Sequence, residues 1–433
     1  MMTENREVGI GILGLGNIGK GALDILEKNK KFIEKEISPS KIRITGLADL
    51  DKSRKPVLEE YSSVFTSSTG EVINNPATDI VVEAIGGEYP AYNLIKQALM
   101  AGKHVVSPNK ELIAKHGYEL LEIAKEKKVQ FLFETSVASA IPILGTLSNV
   151  LTSCPLDRIS GILNGTTNYV LDLMFEKNMT QKKALQKAQE MGYAEADPSK
   201  DIMGTDTLYK IFILSSLGFR TRLDLNDITY SGITEITYED IALAKELGYK
   251  IKLLATSNKK DDYINIEVQP MFVEQDDLLS KIYGANNGII LHGESYGELF
   301  FSGAGAGGIA GGSMIVSDIV RIIRQPEYFE YNYLLENSNG LKIKKFKQEK
   351  SRYFIRIRED IQKDICSKIV EILEQNDLSA EKHVKLPDKK EQDIGIITGF
   401  TNEDELRNTI RNIGERENNF KVMSIIKIFS NPK

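Results

Sequence analysis

Cysteine is nearly absent from this sequence: Cys154 and Cys366 are the only two in 433 residues. Two thiols so far apart exclude a disulfide framework and a thiolate zinc site, and they fit a reducing cytoplasm. Histidine is as scarce, and His104, His116, His292 and His383 show no metal-ligand spacing. Long apolar runs are missing too. The most apolar segment, IFILSSLGF, is far too short to span a bilayer. The N-terminus, MMTENREV, is polar and leads straight into a strand, so no secretory signal is expected. Nor is there a strong charge of one sign: a net charge of −6 gives no global reason to expect nucleic acid. What remains is a chain that is 41% apolar and 27% charged, the composition of a soluble globular protein. Its length suggests about two to four domains.

A glycine pattern stands out in this background. Val8–Leu13 reads as a short apolar strand, Gly14-Leu-Gly16-Asn17-Ile18-Gly19 follows at once, and Ala22, Leu23, Ile25 and Leu26 continue as a helix. Strand, G-x-G-x-x-G, helix is the setting of a dinucleotide fingerprint. Gly14 allows the tight turn, Gly16 lets backbone approach a pyrophosphate, and Gly19 lets helix and strand pack closely. The N–H groups that open the helix then face the phosphates. The second strand, Ile42–Ala48, ends at Asp49. A carboxylate there bonds the ribose hydroxyls and repels a 2′-phosphate, which favours NAD; Lys52 and Arg54 close behind it offer a 2′-phosphate a partner instead. Asp79–Ala84 has the β-branched run of a buried parallel strand. Gly86-Gly87 lets backbone approach a ligand, Pro90–Met100 is an amphipathic helix, and His104–Ser107 is a further strand ending in Ser107-Pro108-Asn109-Lys110. Ligands of open parallel sheets sit beyond the carboxyl ends of strands, which places Ser107 and Lys110 at the cofactor; a lysine there also serves as a plain solvated loop residue. A helix over Gly117–Lys128 and a strand over Val129–Phe133 complete a doubly wound Rossmann sheet.

Beyond Glu134 the small residues Thr135–Ala140 lead into a helix expected from Ile141-Pro142 to about Leu151. Ile159–Leu163 reads as a strand ending in the loop Asn164-Gly165-Thr166-Thr167-Asn168, whose donors suit a carboxylate or an ordinary turn. After a helix at Thr180–Met191 comes the stretch densest in chemistry, Met191–Phe212. It sets Glu195, Asp197 and Asp201 in a loop punctuated by proline and glycine, then Asp206 and Lys210 one turn apart on one face of an apolar helix. Such a loop and face can bind a small cation and trade a proton with it, whereas an ordinary exposed pair at that spacing stabilises by only about 0.3–0.5 kcal/mol. Ile264–Pro270, Ile289–Gly293 and Gly297–Ser302 alternate as strands of a mixed or antiparallel sheet. The run Gly303–Gly312 precedes a helix over Ser313–Ile323, which makes Gly305 part of either a second phosphate-facing helix start or a close helix crossing.

Together GLGNIG, DIVVEAIGG, AGKHVVSPNKELIAKHG, GILNGTTNYVL, GYAEADPSKDIMGTD with its downstream lysine, and GAGAGG, in this order over about residues 8–325, resemble the homoserine dehydrogenase family. The resemblance implies NAD(P)-linked interconversion of L-homoserine and L-aspartate 4-semialdehyde, in threonine and methionine biosynthesis. It implies that Lys110 and Lys210 serve proton transfer and substrate orientation. Glu195, Asp201 and Asp206 then surround the substrate, chiefly its ammonium, and the loop with Gly165 and Thr166 approaches its carboxylate. Moving a hydride at C4 must be matched by a proton at the attached oxygen, and with no metal ligands in evidence a general acid–base must supply it. We expect Lys210 to transfer that proton and Lys110 to orient the substrate. Cofactor contacts fall on Gly14, Gly16, Asn17, Ile18, Gly19 and Asp49, and further on Gly86, Gly87, Ser107, Lys110 and Gly305. Some members hold a monovalent cation through backbone carbonyls, here near Glu134, Val137, Ser139 and Ile141, where the family's glycine-rich run reads Val137-Ala-Ser-Ala140. The family's arginine before the second-strand aspartate is Ala48 here, which removes one reason for NADP. A homodimer or homotetramer is expected.

The expected organisation is a dinucleotide-binding domain at 1–135 plus 305–340, a catalytic and dimerisation α+β domain at 136–304, and a third domain at 350–433. After the linker LKIKKFKQEK, the third reads as strand (Tyr353–Arg358), helix (Lys363–Gln375), hydrophilic hairpin region (Leu386–Lys390), strand (Asp393–Gly399), helix (Glu403–Asn412) and strand (Val422–Phe429). This βαββαβ order resembles an ACT regulatory domain, which implies edge-to-edge pairing and threonine as the effector. The usual Pro-Gly turn after the first strand is replaced by Glu359-Asp-Ile-Gln-Lys363, so ligand binding and dimerisation alone both stay open. Two rival readings share the fold: a Rossmann dehydrogenase for another semialdehyde, and a non-catalytic sensor of a nucleotide and an amino acid. Pro108-Asn-Lys stands where an acylating enzyme needs a cysteine, and the paired lysines and carboxylates have no purpose in a sensor.

Overall fold

The structure, a computed structural model, describes residues 6–56, 59–336, 341–344, 350–360, 366–375, 378–387, 391–416 and 420–430. Its first layer is a six-stranded parallel sheet, ordered Phe65–Thr66, Lys41–Ala48, Glu7–Leu13, Ile80–Glu83, His104–Val106, Phe131–Leu132. Numbered along the chain this is 3-2-1-4-5-6, the doubly wound order, whose reversal point lies between Glu7–Leu13 and Ile80–Glu83. Consecutive residues such as Ile12, Leu13, Val81 and Val82 are all buried, because helices cover both faces.

Helix Gly308–Arg324 returns to this layer from far down the chain and crosses helix Asn17–Lys28. A Cβ on Gly21 would stand 2.0 Å from the Gly308 carbonyl oxygen, and one on Gly312 would stand 2.4 Å from the Gly21 carbonyl carbon. Only glycine permits that approach. The helix therefore begins inside the glycine run, at Gly308, five residues before the expected Ser313.

The second layer is an eleven-stranded mixed sheet. Its main path runs Gly297–Ala304, Asn286–Gly293, Arg158–Ile162, Tyr249–Lys260, Tyr263–Glu274, and then into the C-terminal strands. Helices Gly165–Lys177 and Thr205–Gly218 pack on it. Every residue of Thr205–Gly218 from Asp206 to Leu217 is buried, so its aspartate and lysine sit in apolar structure. Helix Tyr238–Leu247 and strand Tyr249–Lys260, among other elements, go beyond those expected from the sequence. A capping box at Thr237 and Asp240 opens that helix, and left-handed Gly248 closes it.

Three expected elements differ. The helix expected from Gly117 begins at Lys110, capped by Asn109. Residues 164–168 are not a loop: Asn164 caps a helix that begins at Gly165, by accepting from the N–H of Thr167 at 2.8 Å. The helix expected from Ile141 is confined to a short wide turn at Thr146–Val150, entered after Leu144 and Gly145 donate their N–H groups to the Glu134 carboxylate, each at 2.7 Å.

The C-terminal elements do follow a βαββαβ order, with strands Tyr353–Asp360, Ala380–Pro387, Glu391–Thr398 and Phe420–Ile428 arranged 4-1-3-2. They extend the second sheet instead of forming their own. Met271 pairs with Lys427 and Phe272 with Ile428, and Phe272 stacks on Phe354 with ring centroids 4.3 Å apart. The buried Arg356 guanidinium reaches Asp240 at 3.1 Å. The middle of the expected linker (345–349), the turn at 361–365 and the turn at 388–390 lie outside the described residues.

Candidate active site

The end of the first strand is shaped by what its glycines leave out. Gly14 has φ +91°, and a Cβ there would stand 2.7 Å from the Ala84 carbonyl oxygen. A Cβ on Gly19 would stand 1.9 Å from the Gly14 carbonyl oxygen, so Gly19 underlies the turn. Gly16 faces open space, with only the Arg54 guanidinium 3.8 Å from where its Cβ would be. Helix Asn17–Lys28 starts at Gly16 without a side-chain cap, and helix Gly308–Arg324 starts at Gly307 the same way. Both starts open on one cleft of about 1130 Å³. Two uncapped helix ends, with free N–H groups and positive dipole ends, suit a pyrophosphate. The residues thus fit a dinucleotide. Gly14, Gly16, Asn17 and Ile18 line the cleft, with Gly86, Gly87 and Gly305 further along it.

Asp49 also lines the cleft, with its oxygens already engaged. It accepts from the N–H of Leu15 at 2.7 Å and of Asp51 at 2.8 Å, and Arg54 approaches at 3.2 Å. Burial pushes its carboxyl up, but these partners outweigh that and hold it below the usual carboxylate range. Ser107 lies beneath the wall. It is fully buried and donates to Glu83 at 2.6 Å, and Glu83 in turn accepts from the N–H groups of Ile85 and Gly86. This buried glutamate shapes the Gly86-Gly87 turn from below and went unnoticed within the apolar strand.

The lysines meet at one carboxylate. Asn109 caps helix Lys110–Lys127 and donates its amide to the Gly87 carbonyl at 2.6 Å, which sets Lys110 at the first helical position beside the glycine turn. Lys110 Nζ lies 3.1 Å from Asp206 Oδ1, and Lys210 Nζ lies 2.8 Å from Asp206 Oδ2. Lys210 also donates to the Leu163 carbonyl at 2.7 Å. Asn164 joins the acid loop to this pair, donating to Asp201 Oδ1 at 2.6 Å and Asp206 Oδ2 at 2.9 Å. Lys110 remains 42% exposed toward the cleft, whereas Lys210 is only 11% exposed. Glu195 and Asp201 line the same cleft.

The charges follow from this packing. Burial pushes the Asp206 carboxyl up, but the Lys210 and Lys110 ammoniums and the Asn164 amide outweigh it and hold Asp206 well below the usual range. The Asp206 charge, against the opposing effect of burial, holds Lys110 above its ordinary value. Asp201 goes the other way: burial, then the neighbouring Asp206 charge, raise its carboxyl.

Gly165 and Thr166 stand one step behind the cleft. A Cβ on Gly165 would meet the Ala285 carbonyl oxygen at 2.5 Å, and the Thr166 hydroxyl donates to the Tyr193 carbonyl at 2.6 Å. Asn164, one residue earlier, is the one that touches the acids. At the loop where a cation was expected, Ala138 and Ser139 adopt φ of +54° and +46°, keeping the left-handed path a glycine run would take. The Glu134 carboxylate is committed to Leu144, Gly145 and Arg321, and the Ile141 carbonyl accepts from Ile143 at 2.8 Å.

A doubly wound sheet whose reversal point carries two uncapped helix starts, with a lysine of its own layer meeting an aspartate–lysine pair on a helix of the second, defines an NAD(P)-dependent oxidoreductase acting on a CH–OH group. Comparison with known proteins agrees in detail. The chain matches the family model for the homoserine dehydrogenase NAD-binding domain over residues 14–134 and that for homoserine dehydrogenase over residues 142–320. It is 33% identical to homoserine dehydrogenase of Bacillus subtilis over 98% of this chain and 99% of that protein. It is 34% identical to that of Helicobacter pylori over 94% and 96% respectively. Among solved structures, a homoserine dehydrogenase from Thiobacillus denitrificans superposes with a TM-score of 0.89 at 32% identity, covering 99% of each chain. A hyperthermophilic archaeal homoserine dehydrogenase in complex with NADPH gives a TM-score of 0.62 at 26% identity, over 73% of this chain and 97% of that one. The chain belongs to the homoserine dehydrogenase family, and its activity is the NAD(P)-dependent interconversion of L-homoserine and L-aspartate 4-semialdehyde.

Proposed function

We propose that the two lysines divide the work: Lys210 moves the proton at the substrate's C4 oxygen, and Lys110 orients the substrate as a fixed cation. The observation that carries this reading is that Asp206 spends one oxygen on each lysine. An ammonium held above its ordinary value suits a permanent electrostatic contact and not a base. Lys210, nearly buried and fixed by Leu163 and Asp206, keeps one donor hydrogen and lines the cleft. The chemistry that a bound nicotinamide supplies is hydride transfer to or from C4. With both Asp206 oxygens occupied, the substrate's ammonium falls to Asp201 and Glu195. The Glu195 side chain accepts no hydrogen bond from the described residues.

The cofactor end admits either dinucleotide, since Arg54 over Gly16 offsets the Asp49 charge that disfavours a 2′-phosphate. A cytoplasmic homodimer or homotetramer, with threonine acting through the C-terminal module and a monovalent cation on the 134–141 carbonyls, completes the proposal. The deciding experiment is steady-state homoserine oxidation by Lys210→Ala and Lys110→Ala, with NAD and with NADP. Lys210→Ala should abolish kcat, and Lys110→Ala should chiefly raise KM. If Lys210→Ala kept most of kcat while Lys110→Ala abolished it, the two roles would be reversed.

A further inference from the structure

The acid loop is held at several points from its own side and, among the described residues, by one ion pair from across the cleft. It runs between Gly192 and Gly204, both left-handed at φ +75° and +85°, and Tyr193, Glu195, Asp197 and Lys200 on it are exposed. On its own side it is held by the Thr166 bond to the Tyr193 carbonyl, the Asn164 bond to Asp201, the Gln189 amide on the Glu195 carbonyl at 3.1 Å and the Ile233 N–H on the Ile202 carbonyl at 2.8 Å. One further tether crosses the cleft. Lys200 Nζ lies 2.6 Å from Glu111 Oε2, and Glu111 is the second residue of the helix that begins with Lys110. The other Glu111 oxygen accepts from Lys115 at 2.9 Å, and Lys115 reaches Glu88 at 2.6 Å, next to the Gly86-Gly87 turn. Glu111 is mostly buried, with a side chain 16% exposed, whereas Lys200 is 64% exposed.

We propose that Lys200 and Glu111 form a clasp that positions the substrate's ammonium site: it ties the loop bearing Glu195 and Asp201 to the helix bearing Lys110, and so fixes the width of the substrate end of the cleft. This deepens the site reading above and rests on it. Neither residue is asked to touch the reacting atoms. Lys200 sits one position before Asp201, so pulling it toward Glu111 sets where the Asp201 carboxylate can stand. The Lys115–Glu88 link holds Glu111 from behind, so Glu111 is the fixed end of the pair.

The test is a double-mutant cycle in the full-length enzyme with Lys200→Met, Glu111→Gln and both together, assayed with homoserine and saturating cofactor. Lys200→Met should raise KM for homoserine about two- to fivefold, the range open to a partly exposed ion pair, with kcat and melting temperature unchanged. Lys200→Arg should restore the wild-type KM. The double variant should be no worse than the worse single one, as expected for residues acting as a unit. Wild-type KM should also rise as salt is raised toward about 0.5 M, through screening of the exposed partner, and the KM of Lys200→Met should rise less. Additive effects in the cycle, or an unchanged KM in Lys200→Met, would overturn the clasp. Failure of the site reading looks different: Lys110→Ala and Lys210→Ala would both stay active, whatever the cycle showed.

Discussion

Replacing Asp206 by asparagine removes the one charge that two lysines share while keeping the side chain's shape and size. Lys210 would be left nearly buried against the Leu163 carbonyl alone. Breaking a buried ion pair from one side typically costs about 3–5 kcal/mol, and the lower end applies here because Lys110 can turn toward the cleft. Displacing a proton-transferring group costs about a hundredfold in rate, so kcat should fall roughly a hundredfold, while KM for homoserine moves less than about threefold. Stability carries a second signature. The Asp206 charge holds Lys110 above its ordinary value. That contribution is therefore present in full below the unfolded lysine value of about 10.4 and is lost as pH rises through the higher folded value. Asp206→Asn never has it, so the gap in melting temperature between wild type and variant should narrow as pH is raised from about 9 to 11. Steady-state kinetics and thermal melts across that range read both effects. A large rise in KM with kcat intact would show that Asp206 holds the substrate's ammonium and refute the positioning role. A gap constant with pH would refute its pairing with Lys110.

Asp201→Asn should show the opposite trade. Burial and the Asp206 charge raise the Asp201 carboxyl, so its stabilising contribution is complete only below about pH 3.9 and is lost as pH rises through its folded value. The asparagine variant should therefore melt higher than wild type at pH 7 but not at pH 3, while KM for homoserine rises about tenfold or more, as loss of a charge-assisted contact implies. At the other end of the cleft, Arg54→Ser should lower kcat/KM with NADP about tenfold, the usual worth of one charge-assisted hydrogen bond, and leave NAD much less affected. Equal loss with both cofactors would place Arg54 at the shared pyrophosphate and not at the 2′-phosphate.

What could be read along the chain was what depends on neighbours in sequence. The strand–glycine–helix start at Gly14–Gly19 is a local device, and the four-residue spacing of Asp206 and Lys210 fixes their common face whatever surrounds them. Asn164 shows the limit. The sequence Asn-Gly-Thr-Thr has both turn and cap character, and the choice was made by the buried helix behind it and by the two carboxylates its amide reaches. Ser107 and Glu83 illustrate a related failure: a strand-end hydroxyl looks ready for a ligand until a buried acid three strands' length of chain away claims it. The glycines before Ser313 admit both meanings in the sequence because their partner, Gly21, lies nearly three hundred residues earlier. Helix Tyr238–Leu247 carries a capping box at Thr237 and Asp240, a local signal present in the sequence. The joining of the C-terminal strands to the second sheet had no local signal, since it rests on pairings such as Phe272 with Ile428.

That joining bears on how the protein can be cut. If the C-terminal elements were a bead on a string, trimming them would leave a smaller working enzyme. Here the shears would pass through a sheet. Removing them would bare Phe272, which is fully buried against Phe354, and strip Arg356 and Ser424 from the buried Asp240. A fragment ending near residue 340 would thus carry a sticky aromatic edge and a carboxylate left with only its Thr237 cap, the ingredients of a chain that clumps.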